Sequence, residues 1–211
     1  MSQTTPSLYN YARAARLAYF DPVLARRWTR LNAGPHRALV FPDRSACQTI
    51  AIRGSHKAAH VFTNADLRLA RLRDGSGVHS GFWNASNLLW NHLHPHVDLD
   101  RPILLLGHSL GGAIAAILGQ TIAADAASVR VVTFGAPNYT TGWSVPESMQ
   151  VLHVVSSMDP VCGLPTHLRR HGTCIDANTG RVLDANEKKS GPFRLREHRI
   201  ERYIEHMRRF R

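Results

Sequence analysis

The stretch LLLGHSLGGA, residues 104–113, sets Ser109 between Gly107 and Gly111 where an apolar run stops. Residues 102–106 read as a buried strand, and residues 110–124, rich in Ala and Gly, read as a helix able to lie close on a sheet. A G-x-S-x-G sequence between a strand and a helix forms an elbow that holds out a nucleophile. The two glycines leave room where backbone segments approach too closely for a Cβ, and the serine takes a strained conformation. Its Oγ then stands at a helix start, where backbone N–H groups favour negative charge. The expected elbow comprises Gly107, His108, Ser109 and Gly111.

A serine hydroxyl alone is a weak nucleophile; it needs a base, and the base needs a carboxylate to orient it. In this arrangement the chain order is Ser, acid, His. VLHVVSSMDP, residues 151–160, supplies a strand followed by Asp159 in a Pro-bounded turn. Asp176 follows a weaker strand, Asp184 lies in a polar loop and Asp125 at a helix end, so Asp159 is favoured. Among the later histidines, His206 falls inside the last helix, and His167 and His171 lie close behind the acid. His198 stands at the entrance of the last helix, where a loop can deliver it, and is the favoured base. An oxyanion hole needs two donors. The N–H of Leu110, next after the nucleophile, is one candidate. The N–H of Ser55, after the strand IAIRG, is the other.

The elements that must position these groups follow from periodicity. Residues 7–19 read as a helix with Leu8, Tyr11, Ala15 and Ala18 near one face. Residues 37–41 and 47–53 read as strands about the turn signal Pro42–Ser45. Residues 81–93 look helical, with Phe82, Ser86, Leu89 and Leu93 at helical spacing. Residues 129–134 and 150–156 are β-branched strands; 173–176 and 180–183 are weaker ones. Residues 197–210 read as a helix with Ile200, Tyr203, Ile204 and Met207 on one face and a Glu205–Arg209 pair on the other. Alternating strands and helices predict an α/β fold, a mostly parallel central sheet with helices on both faces, in one domain over residues 1–211.

The chain has 211 residues, 44% of them hydrophobic, enough for one sizeable core. Its net charge is +11, and the charge gathers at the ends. Residues 1–53 carry eight Arg against two acids and residues 194–211 seven Arg against three, whereas residues 54–150 balance at six and six. Basic ends suggest an anionic membrane surface as a partner. Without a phosphate loop or an RNA-binding signature, nucleic acid is not expected. Cys47, Cys162 and Cys174 are too few and too irregular for a disulfide framework or a zinc site. No secretory signal is evident, so the expectation is a cytoplasmic protein, or one exported without a cleavable signal. The histidines of NHLHPH (91–96) sit at a helix exit beside Pro95 and do not suggest a metal. His79 and His108 are expected to be buried and bonded to backbone, and Trp83 and Trp90 to pack in the core. Neither cofactor nor metal is called for.

IAIRGSH (50–56), VHSGFWNA (78–85), LLLGHSLGGAIAAI (104–117), VVTFGAPNY (131–139), VLHVVSSMDPVCGLP (151–165) and EHRIERYI (197–204) together resemble the class 3, fungal-lipase-like branch of the α/β-hydrolases. The resemblance implies catalytic Ser109, Asp159 and His198, oxyanion donors at Ser55 and Leu110, and hydrolysis of carboxylic esters in lipids such as acylglycerols or phospholipids. It departs from interfacial members in leaving only residues 56–64 for a lid. The alternatives are an acyltransferase or thioesterase with the same triad, or an inactive lipase-like protein that binds a membrane or an acidic partner.

Overall fold

The computed structural model describes residues 7–19, 28–41, 47–55, 68–72, 75–184 and 194–210. The turn signal at 42–45 and the short segment 56–64 lie outside the described residues.

An eight-stranded sheet runs through the molecule in the order β1-β2-β3-β6-β7-β8-β9-β10. Its centre is parallel: β3 (Gln48–Ile52), β6 (Ile103–His108), β7 (Val129–Phe134), β8 (Met149–Val155) and β9 (Thr173–Asp176). Its margins are antiparallel: β1 (Thr29–Ala33) and β2 (His36–Val40) on one side, β10 (Val182–Leu183) on the other. β4 (Leu69–Arg71) and β5 (Gly77–His79) form a separate two-stranded ribbon. β1, β4 and β5 do not stand out in the sequence. β1 is largely exposed and has little apolar alternation, and the ribbon strands are three residues each.

Alternate residues of the central strands feed two cores. Ile103, Leu105, Val129, Val131 and Val151 face α2 (Ser80–Leu93) and α3 (Leu110–Ile122). Leu104, Leu106, Val132, Phe134 and Val154 face α1 (Leu8–Leu17) and α4 (Ile200–Met207). Burial on both sides explains why these strands read as continuous apolar runs. Phe82, Ser86, Leu89 and Leu93 are all buried along α2.

Two helices differ from their expected form. The buried face of α1 is Tyr9, Ala12 and Ala15, with Leu8 and Tyr11 only half-buried. The single helix expected over 197–210 is three pieces: a 3-10 turn at Leu195–His198, α4, and a second 3-10 turn at Arg208–Phe210. Arg199 is extended between the first two (φ −70°, ψ 139°), which turns His198 out of the helix and toward the sheet. Among the described contacts, Glu205 pairs with Arg202 rather than Arg209. No helix among the described residues is long and apolar enough to cross a membrane.

Candidate active site

Register brings the candidate groups to one edge. Ile52 of β3 pairs with Gly107 of β6, and His108 pairs with Phe134 of β7, which pairs with Val154 of β8. The segments leaving β3, β6 and β8 therefore emerge side by side at the C-terminal ends of the strands, where open α/β sheets bind ligands.

Ser109 lies at the tip of the β6–α3 elbow with φ 58° and ψ −133°, a left-handed conformation that side chains rarely adopt. The elbow closes only because its neighbours lack side chains. A Cβ on Gly107 would lie 2.3 Å from the Gly111 carbonyl oxygen, and one on Gly111 would lie 2.4 Å from the Ile52 oxygen. The Ser109 N–H donates to the Phe134 carbonyl at 3.0 Å, which ties the elbow to β7.

The Ser109 hydroxyl donates to His198 Nε2 at 2.7 Å. His198 Nδ1–H donates to Asp159 Oδ2 at 2.8 Å. All three side chains are buried. The proton on Nδ1 leaves Nε2 with the lone pair that faces the serine.

Asp159 lies four residues beyond the end of β8 and caps the 3-10 turn Pro160–Gly163, its Oδ1 accepting from Val161 N–H at 2.9 Å. Its Oδ2 also accepts from the Tyr203 hydroxyl at 2.7 Å and from the Cys162 thiol at 3.4 Å. Burial is the largest single influence on this carboxyl and opposes its ionisation. The bond and charge of His198, the Tyr203 hydroxyl and the Val161 N–H together outweigh burial and hold its pKa below the ordinary value. The Arg194 N–H donates to the Met158 carbonyl at 2.9 Å, joining the segment that carries the imidazole to the loop that carries the acid. Arg170 braces the same loop from below, its Nη1 donating to the carbonyls of Ala136 and Cys162.

Of the two candidate oxyanion donors, Leu110 follows Ser109 in the chain and Ser55 follows Gly54, which packs against Ser109. Leu110 is the first residue of α3, where a helix leaves N–H groups without intrahelical acceptors. Gly54 packs so tightly that a Cβ on it would lie 2.9 Å from Ser109 Cβ, and half-buried Ser55 is the next residue in the chain.

The remaining acids and histidines fall elsewhere. Asp176 closes a turn by accepting from Asn178 and Thr179, and Asp184 and Asp125 are exposed. His167 is exposed. His171 is buried with Tyr139, whose hydroxyl lies 2.6 Å from its Nδ1. His153 takes part in the same cluster, accepting from Thr133 Oγ1 at 2.6 Å and donating to the His171 carbonyl at 2.9 Å. His206 faces Glu197 at 3.5 Å. His79 caps α2, accepting from Phe82 N–H, and His108 Nε2–H donates to the His198 carbonyl at 2.7 Å, so each is bonded to backbone. Trp83 and Trp90 pack against the core of α2 and α3. His92, His94 and His96 are exposed. A cavity of about 660 Å³, lined by residues that include Leu8, Tyr11, Arg130 and Gln150, opens at the N-terminal halves of β7 and β8 and touches none of the three candidate groups.

Tyr203 and Tyr19 bind this site, and sequence reasoning gave neither a role in it. Tyr203 is visible in the sequence as an apolar-face residue five places after His198. A lone hydroxyl on the apolar face of a strongly charged helix is the one signal that marks it.

The family described as lipase (class 3) matches residues 49–168, more than half of the chain. No curated protein sequence matches the chain. Among solved structures, the lipase of Rhizopus microsporus var. chinensis superposes with a TM-score of 0.67 at 18% identity, over 80% of this chain and 72% of that one. The Lip2 lipase of Yarrowia lipolytica gives 0.64 at 20% identity, over 80% and 78%. A mutant form of MDLA from Penicillium cyclopium gives 0.63 at 15% identity, over 93% and 95%. At these identities the structural likeness carries the fold, an α/β-hydrolase fold, and the family match carries the membership. The chain belongs to the class 3 lipase family, and with it to the carboxylic-ester hydrolases.

Proposed function

We propose that this protein hydrolyses lipid carboxylic esters, acylglycerols or phospholipids, through an acyl-enzyme on Ser109. His198 Nε2 takes the hydroxyl proton as Oγ bonds to the ester carbonyl carbon. The carbonyl π electrons move onto oxygen, and the N–H groups of Leu110 and Ser55 receive that negative charge. The proton on Nε2 passes to the leaving alkoxide as the ester C–O bond breaks. Water, deprotonated by the same nitrogen, then releases the acid and restores the serine. Asp159 fixes the imidazole tautomer and stabilises its cation.

The observation that carries this reading is the line of two short hydrogen bonds, Ser109 to His198 at 2.7 Å and His198 to Asp159 at 2.8 Å. Ester hydrolysis is favoured over loss of catalysis because all three groups are present and in bonding order.

The test is Ser109→Ala. Turnover of p-nitrophenyl esters and labelling by a fluorophosphonate disappear while circular dichroism and thermal midpoint stay as in the parent protein. Retained turnover refutes the assignment. A panel of acylglycerols and phospholipids, with and without an added alcohol acceptor, then assigns head group and separates hydrolysis from acyl transfer.

A further inference from the structure

Beside the candidate triad runs a second hydrogen-bonded line, and its centre is Tyr19, just past the end of α1. The Tyr19 hydroxyl lies 2.6 Å from His108 Nδ1. Gly54 N–H donates to the same hydroxyl oxygen at 3.1 Å. His108 Nε2 lies 2.7 Å from the His198 carbonyl oxygen.

The chemistry of the partners fixes every donor. A carbonyl only accepts, so His108 carries its hydrogen on Nε2. Burial, with the nearby charge of His198, pushes the His108 pKa down to about 3, so the ring is neutral at pH 7 and Nδ1 is a bare acceptor. Tyr19 must therefore donate to Nδ1, which leaves its oxygen lone pairs for Gly54. The line reads Gly54 N–H to Tyr19 oxygen, Tyr19 O–H to His108 Nδ1, His108 Nε2–H to His198 carbonyl.

Its members sit where displacement matters. Gly54 immediately precedes Ser55, His108 immediately precedes Ser109, and His198 is the candidate base itself. The packing around the hydroxyl leaves no slack: a Cβ on Gly54 would lie 2.4 Å from the Tyr19 oxygen and 2.5 Å from the His108 carbonyl oxygen.

We propose that Tyr19 is a positioning residue for ester hydrolysis, its hydroxyl holding the Gly54–Ser55 turn, the nucleophile elbow and the His198 backbone at one fixed spacing. This inference rests on the assignment of Ser109, His198 and Ser55 under Proposed function. Displacing reacting groups by about an ångström costs on the order of a hundredfold in rate. Loss of the hydroxyl frees the Gly54–Ser55 turn from the elbow and leaves His108 held in this line by its bond to the His198 carbonyl alone.

Tyr19→Phe removes the hydroxyl and keeps the ring, which meets His108 edge-on at 5.5 Å. The experiment counts active sites with a fluorophosphonate and measures kcat per titrated site and KM on a short-chain p-nitrophenyl ester. The expected result is a fall in kcat per site of about ten- to a hundredfold with KM within about twofold. Fewer titratable sites, each turning over at the parent rate, would mean a purely structural residue and overturn the proposal.

His108→Gln and His108→Leu give an independent readout, since glutamine offers both a donor and an acceptor and leucine neither. His108→Gln is expected to keep at least about tenfold more kcat per site than His108→Leu. Tyr19→Phe is expected to slow the Gln variant and to leave the Leu variant no slower. Equal rates for the two His108 variants would overturn the proposal. Ser109→Ala runs in parallel. If it still labels and turns over, the site assignment itself has failed; if it is dead while Tyr19→Phe is fully active per site, only the role of Tyr19 has failed.

Discussion

The Tyr203 hydroxyl lies 2.7 Å from Asp159 Oδ2, the same oxygen that receives the proton-bearing nitrogen of His198. Tyr203 is fully buried and reaches across from α4, so that helix helps hold Asp159, the candidate acid. Tyr203→Phe is expected to lower kcat about tenfold, the value of one hydrogen bond to a charged group. Steady-state kinetics on a soluble ester check it. An unchanged kcat would show that the other donors to Asp159 suffice.

Asp159→Asn separates the two tasks of that side chain. An amide oxygen can still cap the Pro160–Gly163 turn through Val161 N–H, while the amide nitrogen cannot accept from His198 Nδ1–H. We expect kcat to fall by about 10³- to 10⁴-fold as the imidazole takes the wrong tautomer, with the thermal midpoint little changed. A fall of less than tenfold would remove Asp159 from the mechanism.

The elbow glycines predict a contrast in stability. In Gly111→Ala the new Cβ meets backbone atoms of Ile52 and Arg53 at 2.4 and 2.7 Å, so the start of α3 and the end of β3 must part. The expected loss is about 3 kcal/mol or more. A Cβ on Gly163 meets nothing within 4 Å, and Gly163→Ala should stay within about 0.5 kcal/mol of the parent. Urea unfolding of both variants measures the difference.

Acid should progressively destabilise the protein below about pH 6.5. Burial drives the His108 pKa down to about 3 and that of His171 to about 4, and it holds His153 well below the ordinary 6.5. The unfolded chain therefore takes up these protons before the folded one does. Stability from this source is complete above about pH 6.5 and drains as the pH falls toward 4. Each such histidine contributes on the order of 1.4 kcal/mol per pH unit in that window. Urea midpoints at pH 7, 6 and 5 check it; a flat series would show that these rings are not held neutral by the fold.

The sequence carries the frame of this site better than its supports. The β6–α3 elbow is legible because steric demand writes itself into neighbouring residues: two glycines, a serine and an apolar run. β8 and the turn after it are legible for the same reason, and they lead to Asp159. Tyr203 and Tyr19 are not legible in this way. Their hydroxyls meet partners 44 and 89 residues away, Asp159 and His108, and local periodicity records only that one side of a helix is buried. The extended Arg199 is equally hidden, because Ile200, Tyr203 and Met207 keep helical spacing and nothing in 195–199 breaks it. β1 escapes because an edge strand exposed to water needs little apolar pattern.

α1 packs directly on α4, and Arg16 reaches Glu201 at 3.0 Å. One ion pair thereby joins the first described helix to the last. Both partners of that pair are about half exposed, so salt screens it, and the seam between the two helices rests instead on the apolar cluster of Ala12, Ala15, Ile200 and Met207.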